Sequence, residues 1–297
     1  MRSARSAQTL MRLDVAFDPA QLPDKLVEAY KANRCAVLIG AGVSKGAGLP
    51  LWDELLEQMI QEGERHKIID PAKAAEYRKI LHDTSKFPMV AGGLKEDIKV
   101  YFDEFIEATF VRPKPQPTAL HEGIVALDRL QFALTTNYDT ILERAYRRAD
   151  PDVPVCSFTD TGEVQRRLSR REFFILKAHG DATKLASGII LTGADYRQIL
   201  YRERAYQSLL SAMFTMFTVI FVGASMNDPE IKLLLDFVAD AYAPNGGPSH
   251  FAVMPKEDIT GVEQDRWFKD LRVQLIPISK ADSFADLIEF TKALKNA

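Results

Sequence analysis

Four short segments place chemistry-bearing residues directly after apolar runs. The first, Gly40-Ala-Gly-Val-Ser-Lys-Gly-Ala-Gly48, follows Cys35-Ala-Val-Leu-Ile39. Glycines let a backbone approach a ligand closely, and the free N–H groups at a following helix start suit a pyrophosphate. The segment has no Gly-Lys-Ser/Thr triplet, which argues against a P-loop. It is also not G-x-G-x-x-G, whose third glycine would fall on Lys45. The second segment is Thr135-Thr136-Asn137-Tyr138-Asp139, an amide and a carboxylate at a strand end. Alone, the segment reads more readily as an Asx-turn or as a cap, through Asn137 or Asp139, for the helix that follows. The third is Lys177-Ala-His179-Gly180-Asp181. An imidazole, with an ordinary pKa of about 6.5, suits a proton acceptor there. The fourth, Gly223-Ala-Ser225-Met-Asn227-Asp228-Pro229, is another Gly/Ser turn, with a helix start at Asp228-Pro229. Ser225 is a donor for a phosphate or a ribose. His66, His82, His121 and His250 fall in helical, loop or strand-start contexts and read as structural.

These turns need elements to hold them at one rim. Apolar runs predict strands at Cys35–Ile39, Gln131–Thr135, Phe173–Lys177, Ile189–Leu191, Thr218–Val222, His250–Met254 and Val273–Pro277. Helical spacing marks Pro23–Lys31, Leu51–Glu62, Thr140–Arg148, Asp195–Phe217, Pro229–Tyr242 and Ser283–Lys295. Apolar strands alternating with helices predict a parallel sheet covered on both faces. The stretch 51–118 breaks the alternation and ends in Pro113, Pro115 and Pro117. It is expected to be an inserted helical subdomain, interrupting a main domain of 21–50 and 119–297. Residues 1–20 are expected to form a loose, basic N-terminal tail.

The 297 residues carry 38 basic and 41 acidic side chains, a net charge of -3. That balance gives no general reason to expect nucleic acid or an acidic membrane as a partner. No run reaches the 18 or so apolar residues of a membrane span. Two cysteines cannot build a four-thiolate zinc ribbon, and they fit a reducing cytoplasm.

In this order, Gly40-Ala-Gly-Val-Ser44, Thr136-Asn137-Tyr-Asp139, His179-Gly180 and Gly223-Ala-Ser225 resemble the Sir2 superfamily, specifically its SIR2-like NAD-hydrolysing branch of bacterial antiphage defence. The resemblance implies an α/β fold, a Rossmann-like parallel sheet with helices on both faces. It implies NAD+ as substrate, bound in an inverted orientation, with no metal. Gly40, Ala41, Gly42 and Ser44 would cradle the diphosphate, with Thr136 beside them. Gly223, Ser225 and Asn227 would hold the phosphate or adenosine side. Asn137 would hold the nicotinamide ribose or position water, Asp139 would meet the carboxamide, and His179 would contact ribose hydroxyls or act as base.

The missing cysteines separate the chain from sirtuin deacylases. Water is therefore the expected acceptor, with nicotinamide and ADP-ribose as products. The alternatives are an NAD-dependent deacylase or ADP-ribosyltransferase, and a non-catalytic NAD or ADP-ribose sensor. Having both Asn137 and His179 speaks against the sensor. An always-active NAD+ hydrolase would poison its host, and no second sensor domain is read after the sheet. Gating is expected from self-assembly or a separate protein, as when SIR2-like effectors pair with HerA-type ATPases or short Argonaute proteins.

Overall fold

The computed structural model describes residues 17–226, 228–242 and 249–297, apart from the side chains of 281–283. Asn227 and residues 1–16 of the expected tail lie outside them. The chain starts with α1 (Asp24–Lys31), β1 (Cys35–Ile39) and the short α2 (Ala41–Lys45). Next come α3 (Trp52–Arg65), α4 (Pro71–Ile80), α5 (Phe87–Asp97), α6 (Phe102–Phe110) and α7 (Ala119–Val125). From there strands and helices alternate: β2 (Leu130–Thr135), α8 (Ile141–Ala149), β3 (Val155–Ser157), α9 (Thr161–Arg170) and β4 (Ile175–Lys177). Then α10 (Gly193–Tyr201) and α11 (Arg204–Met216) precede β5 (Thr218–Val222), α12 (Pro229–Ala241) and β6 (His250–Pro255). The described chain closes with α13 (Gly261–Leu271), β7 (Val273–Ile278) and α14 (Ala281–Asn296).

The seven strands form one sheet in the order β3-β4-β2-β1-β5-β6-β7, with every neighbouring pair parallel. Without β3 this is the doubly wound dinucleotide-binding order, 3-2-1-4-5-6. β3 extends one edge. Alternation along β1 shows how the sheet is covered. Ala36 and Leu38 enter a core built with α9 to α12, while Cys35, Val37 and Ile39 enter one built with α1, α7, α8 and α14. The strand is apolar throughout because both of its faces are buried.

The helices between β1 and β2 have a further core, where Leu56, Met59, Val90, Leu94 and Ile106 are fully buried. Ile141, Ile189 and Leu191 join that core from the sheet side. The predicted strand Ile189–Leu191 is therefore not a sheet strand. It makes one isolated antiparallel bridge, Gly180 to Ile189, before Thr192 caps α10. Ile189 and Leu191 face the helices between β1 and β2, while Ile190 packs into the core built with α9 to α12. The real edge strand, Val155–Ser157, escapes a sequence reading because it is three residues long and only Cys156 is buried. Asp195–Phe217 divides into two helices at Arg202–Glu203, with no glycine or proline to signal the break. Among the described residues, no helix is long and apolar enough to cross a membrane.

His250 begins β6 fully buried, and its Nδ1 accepts the Val219 N–H at 3.2 Å. Burial pushes its pKa down to about 4. The unfolded chain then binds this proton more readily than the folded one. Its contribution is intact above about pH 6.5, falls as the pH drops toward 4, and levels off below. The loss is on the order of 3 kcal/mol. Urea unfolding across that window should show a shallower acid loss in His250→Gln than in the parent chain.

Candidate active site

Ligands of a doubly wound sheet bind beyond the carboxyl ends of the strands, where the strand order reverses. Here that point lies between β1 and β5. Both turns there are built from glycine, and they dock backbone to backbone. The Gly42 N–H donates to the Gly223 carbonyl at 2.9 Å, and the Gly40 N–H to the Val222 carbonyl at 3.1 Å. Gly223 has φ +60°, and a Cβ there would sit 2.6 Å from the Val43 nitrogen. Only glycine fits such an approach. Gly40 is buried, Ala41, Gly42 and Thr136 are half-buried, and Ser225 is exposed.

Just past these turns, Ser44 joins three parts of the chain. Its hydroxyl donates to Asp139 Oδ2 at 2.9 Å and accepts from Asn137 Nδ2 at 3.1 Å. Asn137 Nδ2 also donates to the Gly40 carbonyl at 3.2 Å. The amide's donor end is thus fixed against the first turn, and Oδ1 is the end these bonds do not use. Asp139 Oδ1 accepts the Ile141 N–H at 2.9 Å, which starts α8. Asp139 therefore both starts α8 and holds the Ser44 hydroxyl. Ser44 and Asp139 are both buried, so the two hydroxyl and carboxylate groups act inward, on each other.

Beneath them lies a buried ammonium. Lys177, the last residue of β4, donates through Nζ to the Asp139 carbonyl and to Glu143 Oε1, with Asp181 Oδ2 3.7 Å away. Burial opposes its charge, but Glu143 and Asp181 outweigh it and raise the Lys177 pKa. Burial likewise pushes Glu143 up. Lys177 faces three acceptors, which favour its ammonium form.

His179 lies two residues beyond Lys177. Thr135 pairs with Lys177 in the ladder, so Asn137 and His179 leave adjacent strands at the same height. Neighbouring strands run about 5 Å apart. The Gly180 that follows has φ +90°, which turns the chain so that the His179 carbonyl accepts the Ile190 N–H at 3.0 Å. The imidazole is buried. Its Nε2 lies 3.4 Å from Oε2 of Glu230, on the first turn of α12, and 3.8 Å from Oδ2 of Asp228, the residue that caps that helix. Tyr196 of α10 meets the ring edge-on, with centroids 5.6 Å apart, and Trp52 of α3 packs against Tyr196.

The structure thus brings Ser44, Asn137 and Asp139 into one bonded cluster beside the paired glycine turns. It places His179 on the adjacent strand, within a second cluster. A cavity of about 600 Å³ opens on the inserted-helix side, lined by Gly48, Leu49, Asp53 and Glu54 among others. Neither Asn137 nor His179 lines it. The sequence reading missed Lys177, Glu143, Tyr196 and Glu230. Lys177 left a signal, a lysine ending an otherwise apolar buried strand. Glu230 left none, because an acid after Asp-Pro is ordinary helix-start chemistry.

Residues 131–276 match a family model described as a SIR2-like domain. A protein named NAD(+) hydrolase ThsA from Enterococcus faecium is 25% identical over 94% of this chain and 58% of its own length. One of the same name from Bacillus cereus (strain MSX-D12) is 26% identical over 80% of this chain and 46% of its own. Defense-associated sirtuin 2 of Bacillus subtilis is 24% identical over 72% of this chain and 20% of its own. The chain spans about half the length of the two hydrolases and a fifth of the sirtuin. A solved Sir2 homolog–NAD complex aligns at 17% identity over 92% of this chain and 95% of that one, with a TM-score of 0.45. The fold assignment rests on the strand order itself.

Removing the buried ammonium leaves Glu143 without a partner. Lys177→Met should lower stability by roughly 3–5 kcal/mol. The double variant Lys177→Met/Glu143→Leu should recover most of that loss, because no charge is then left buried. Urea denaturation of the three proteins measures both effects.

Proposed function

We propose that this chain, whose residues 131–276 match a SIR2-like domain model, is an NAD+ glycohydrolase, cleaving NAD+ to nicotinamide and ADP-ribose. The observation that carries this reading is the shared height of Asn137 and His179 on adjacent strands, beside two glycine turns at the switch point. An amide, an imidazole and a dinucleotide cradle on one rim are the parts such a cleavage needs. The names of the similar proteins point the same way.

Nicotinamide is a good leaving group, so little covalent help is required. The bond between the anomeric carbon and the pyridinium nitrogen breaks, and its electron pair stays on nicotinamide. Water bonds to that carbon and gives up a proton. In this reading His179 takes the proton, a step worth roughly 10²- to 10⁴-fold. Asn137, with its donor end tied to Gly40 and Ser44, presents Oδ1 to the water or to a ribose hydroxyl. Asp139 acts through Ser44, to which its carboxylate is bonded. Gly40, Ala41, Gly42 and Thr136 line the diphosphate side. Gly223, Ser225 and Asn227 belong to the adenosine side.

The biological role in this reading is antiphage defence by NAD+ depletion in the cytoplasm. The enzyme is held in check until self-assembly or a separate activator releases it, and the helices of 51–118 are the proposed contact surface.

His179→Ala and Asn137→Ala should each abolish nicotinamide release while circular dichroism stays native. Near-normal release from both folded variants would reject the assignment. Mass spectrometry of the products separates the acceptors. Free ADP-ribose means water, whereas acyl-ADP-ribose or a modified protein means a deacylase or transferase.

A further inference from the structure

The cluster around His179 contains three fully buried polar atoms without a hydrogen-bond partner: His179 Nε2, Glu230 Oε2 and Tyr206 Oη. Buried polar groups are normally satisfied, and an orphan calls for an explanation. Two of these orphans face each other across 3.4 Å. Glu230 is completely buried, a location a carboxylate occupies only with a partner.

Asp228 is also near, but its bonding is committed elsewhere. Its Oδ1 accepts the Glu230 and Ile231 N–H groups that start α12, and its Oδ2 accepts the Tyr196 hydroxyl at 2.8 Å. Glu230 uses only Oε1, which accepts from Gln207 Nε2 at 2.8 Å. Its Oε2 remains for the imidazole.

We propose that Glu230 is the positioning residue for His179: its carboxylate takes the Nε2 proton in a hydrogen bond, fixing the tautomer in which Nδ1 carries the lone pair. A histidine ring nitrogen is set by the bond its other nitrogen makes. This rests on the reading of His179 as the base. When Nδ1 takes the proton of the attacking water, the imidazolium that forms already faces a carboxylate. The charge develops in a dry site where the counter-ion is in place and no solvent must reorganise.

The groups around the ring fit this arrangement. α12 brings Asp228 and Glu230, α10 brings Tyr196, and α11 brings Tyr206 and Gln207 against Glu230. Tyr138 lies beyond Tyr196. Among the described residues, the charged groups acting on the ring are Asp228 and Glu230, both acids. Burial alone would pull His179 down, but Asp228 and Glu230 outweigh it and hold its pKa above the ordinary value.

The test uses the full chain as wild type, Glu230→Gln, Glu230→Asp and His179→Ala. Glu230→Gln keeps the shape and the Gln207 contact but removes the charge. It should lower kcat for nicotinamide release roughly 10- to 100-fold, with KM changed by no more than about twofold. With the counter-charge gone, His179 loses its proton more easily. The acidic limb of the pH–kcat profile should therefore move to lower pH, and the His179 titration in 15N-histidine NMR, assigned by its loss in His179→Ala, should move with it. Glu230→Asp restores a carboxylate and should recover part of both. Wild-type kcat, or a lower kcat with neither limb nor titration shifted, would overturn the proposal. If Glu230→Gln does not fold, Glu230→Asp against wild type carries the same readouts. If the wild type releases no nicotinamide either alone or with an activator present, the hydrolase reading fails. The NMR titration then still decides whether Glu230 holds His179.

Discussion

Asp139 is held from three directions, and the geometry of the rim depends on it. One carboxylate oxygen accepts the Ser44 hydroxyl, the other accepts the first N–H of α8, and its carbonyl accepts from Lys177. These bonds tie the turn after β1, the turn after β2 and the end of β4 to one residue. Asn137, two positions earlier, inherits its orientation through the same serine. Fixing so many partners in the folded state removes side-chain freedom that the Asn137 amide would otherwise lose on binding a ligand.

The cost of this order is charge buried in a mostly apolar protein. Lys177 with Glu143, and His179 with Asp228 and Glu230, form two buried charged groups on neighbouring strands and helices. Such pairs are weak contributors to stability, because desolvation offsets most of their attraction. Their presence is better explained by position. Each fixes a loop that leaves the sheet at its carboxyl edge, where function resides in this type of fold. Strongly perturbed groups gathered at such an edge are a recognised mark of a working site.

The inserted helices are coupled to this rim by packing. Ile189 and Leu191, which follow the His179 turn, lie in the insertion's own core. Trp52 reaches from α3 to Tyr196, whose ring meets His179. A shift of α3 would be felt at the imidazole through two aromatic contacts, since close-packed interiors transmit displacement.

Local sequence determined the periodic elements and the four turns. β1 is legible because five consecutive apolar residues, too short for a helix and closed by Gly40, fit a strand buried on both faces, and Asp228-Pro229 is legible because cap chemistry is written in adjacent residues. Gly40-Ala-Gly-Val-Ser44, Asn137 and His179 stood out as residue types at strand ends. Tertiary structure alone decided what they touch. Ile189–Leu191 reads as a strand but divides between two cores, Ile189 and Leu191 against the helices between β1 and β2 and Ile190 against α9 to α12, and Val155–Ser157 pairs at the sheet edge though its run is too short to read. Ser44 and Asp139 lie 95 positions apart and bond, and so do the 34-residue-separated Lys177 and Glu143. Periodicity reports only on neighbours within a few residues. Which buried charge meets which is set by strand order and register, and these emerge only when the whole sheet assembles.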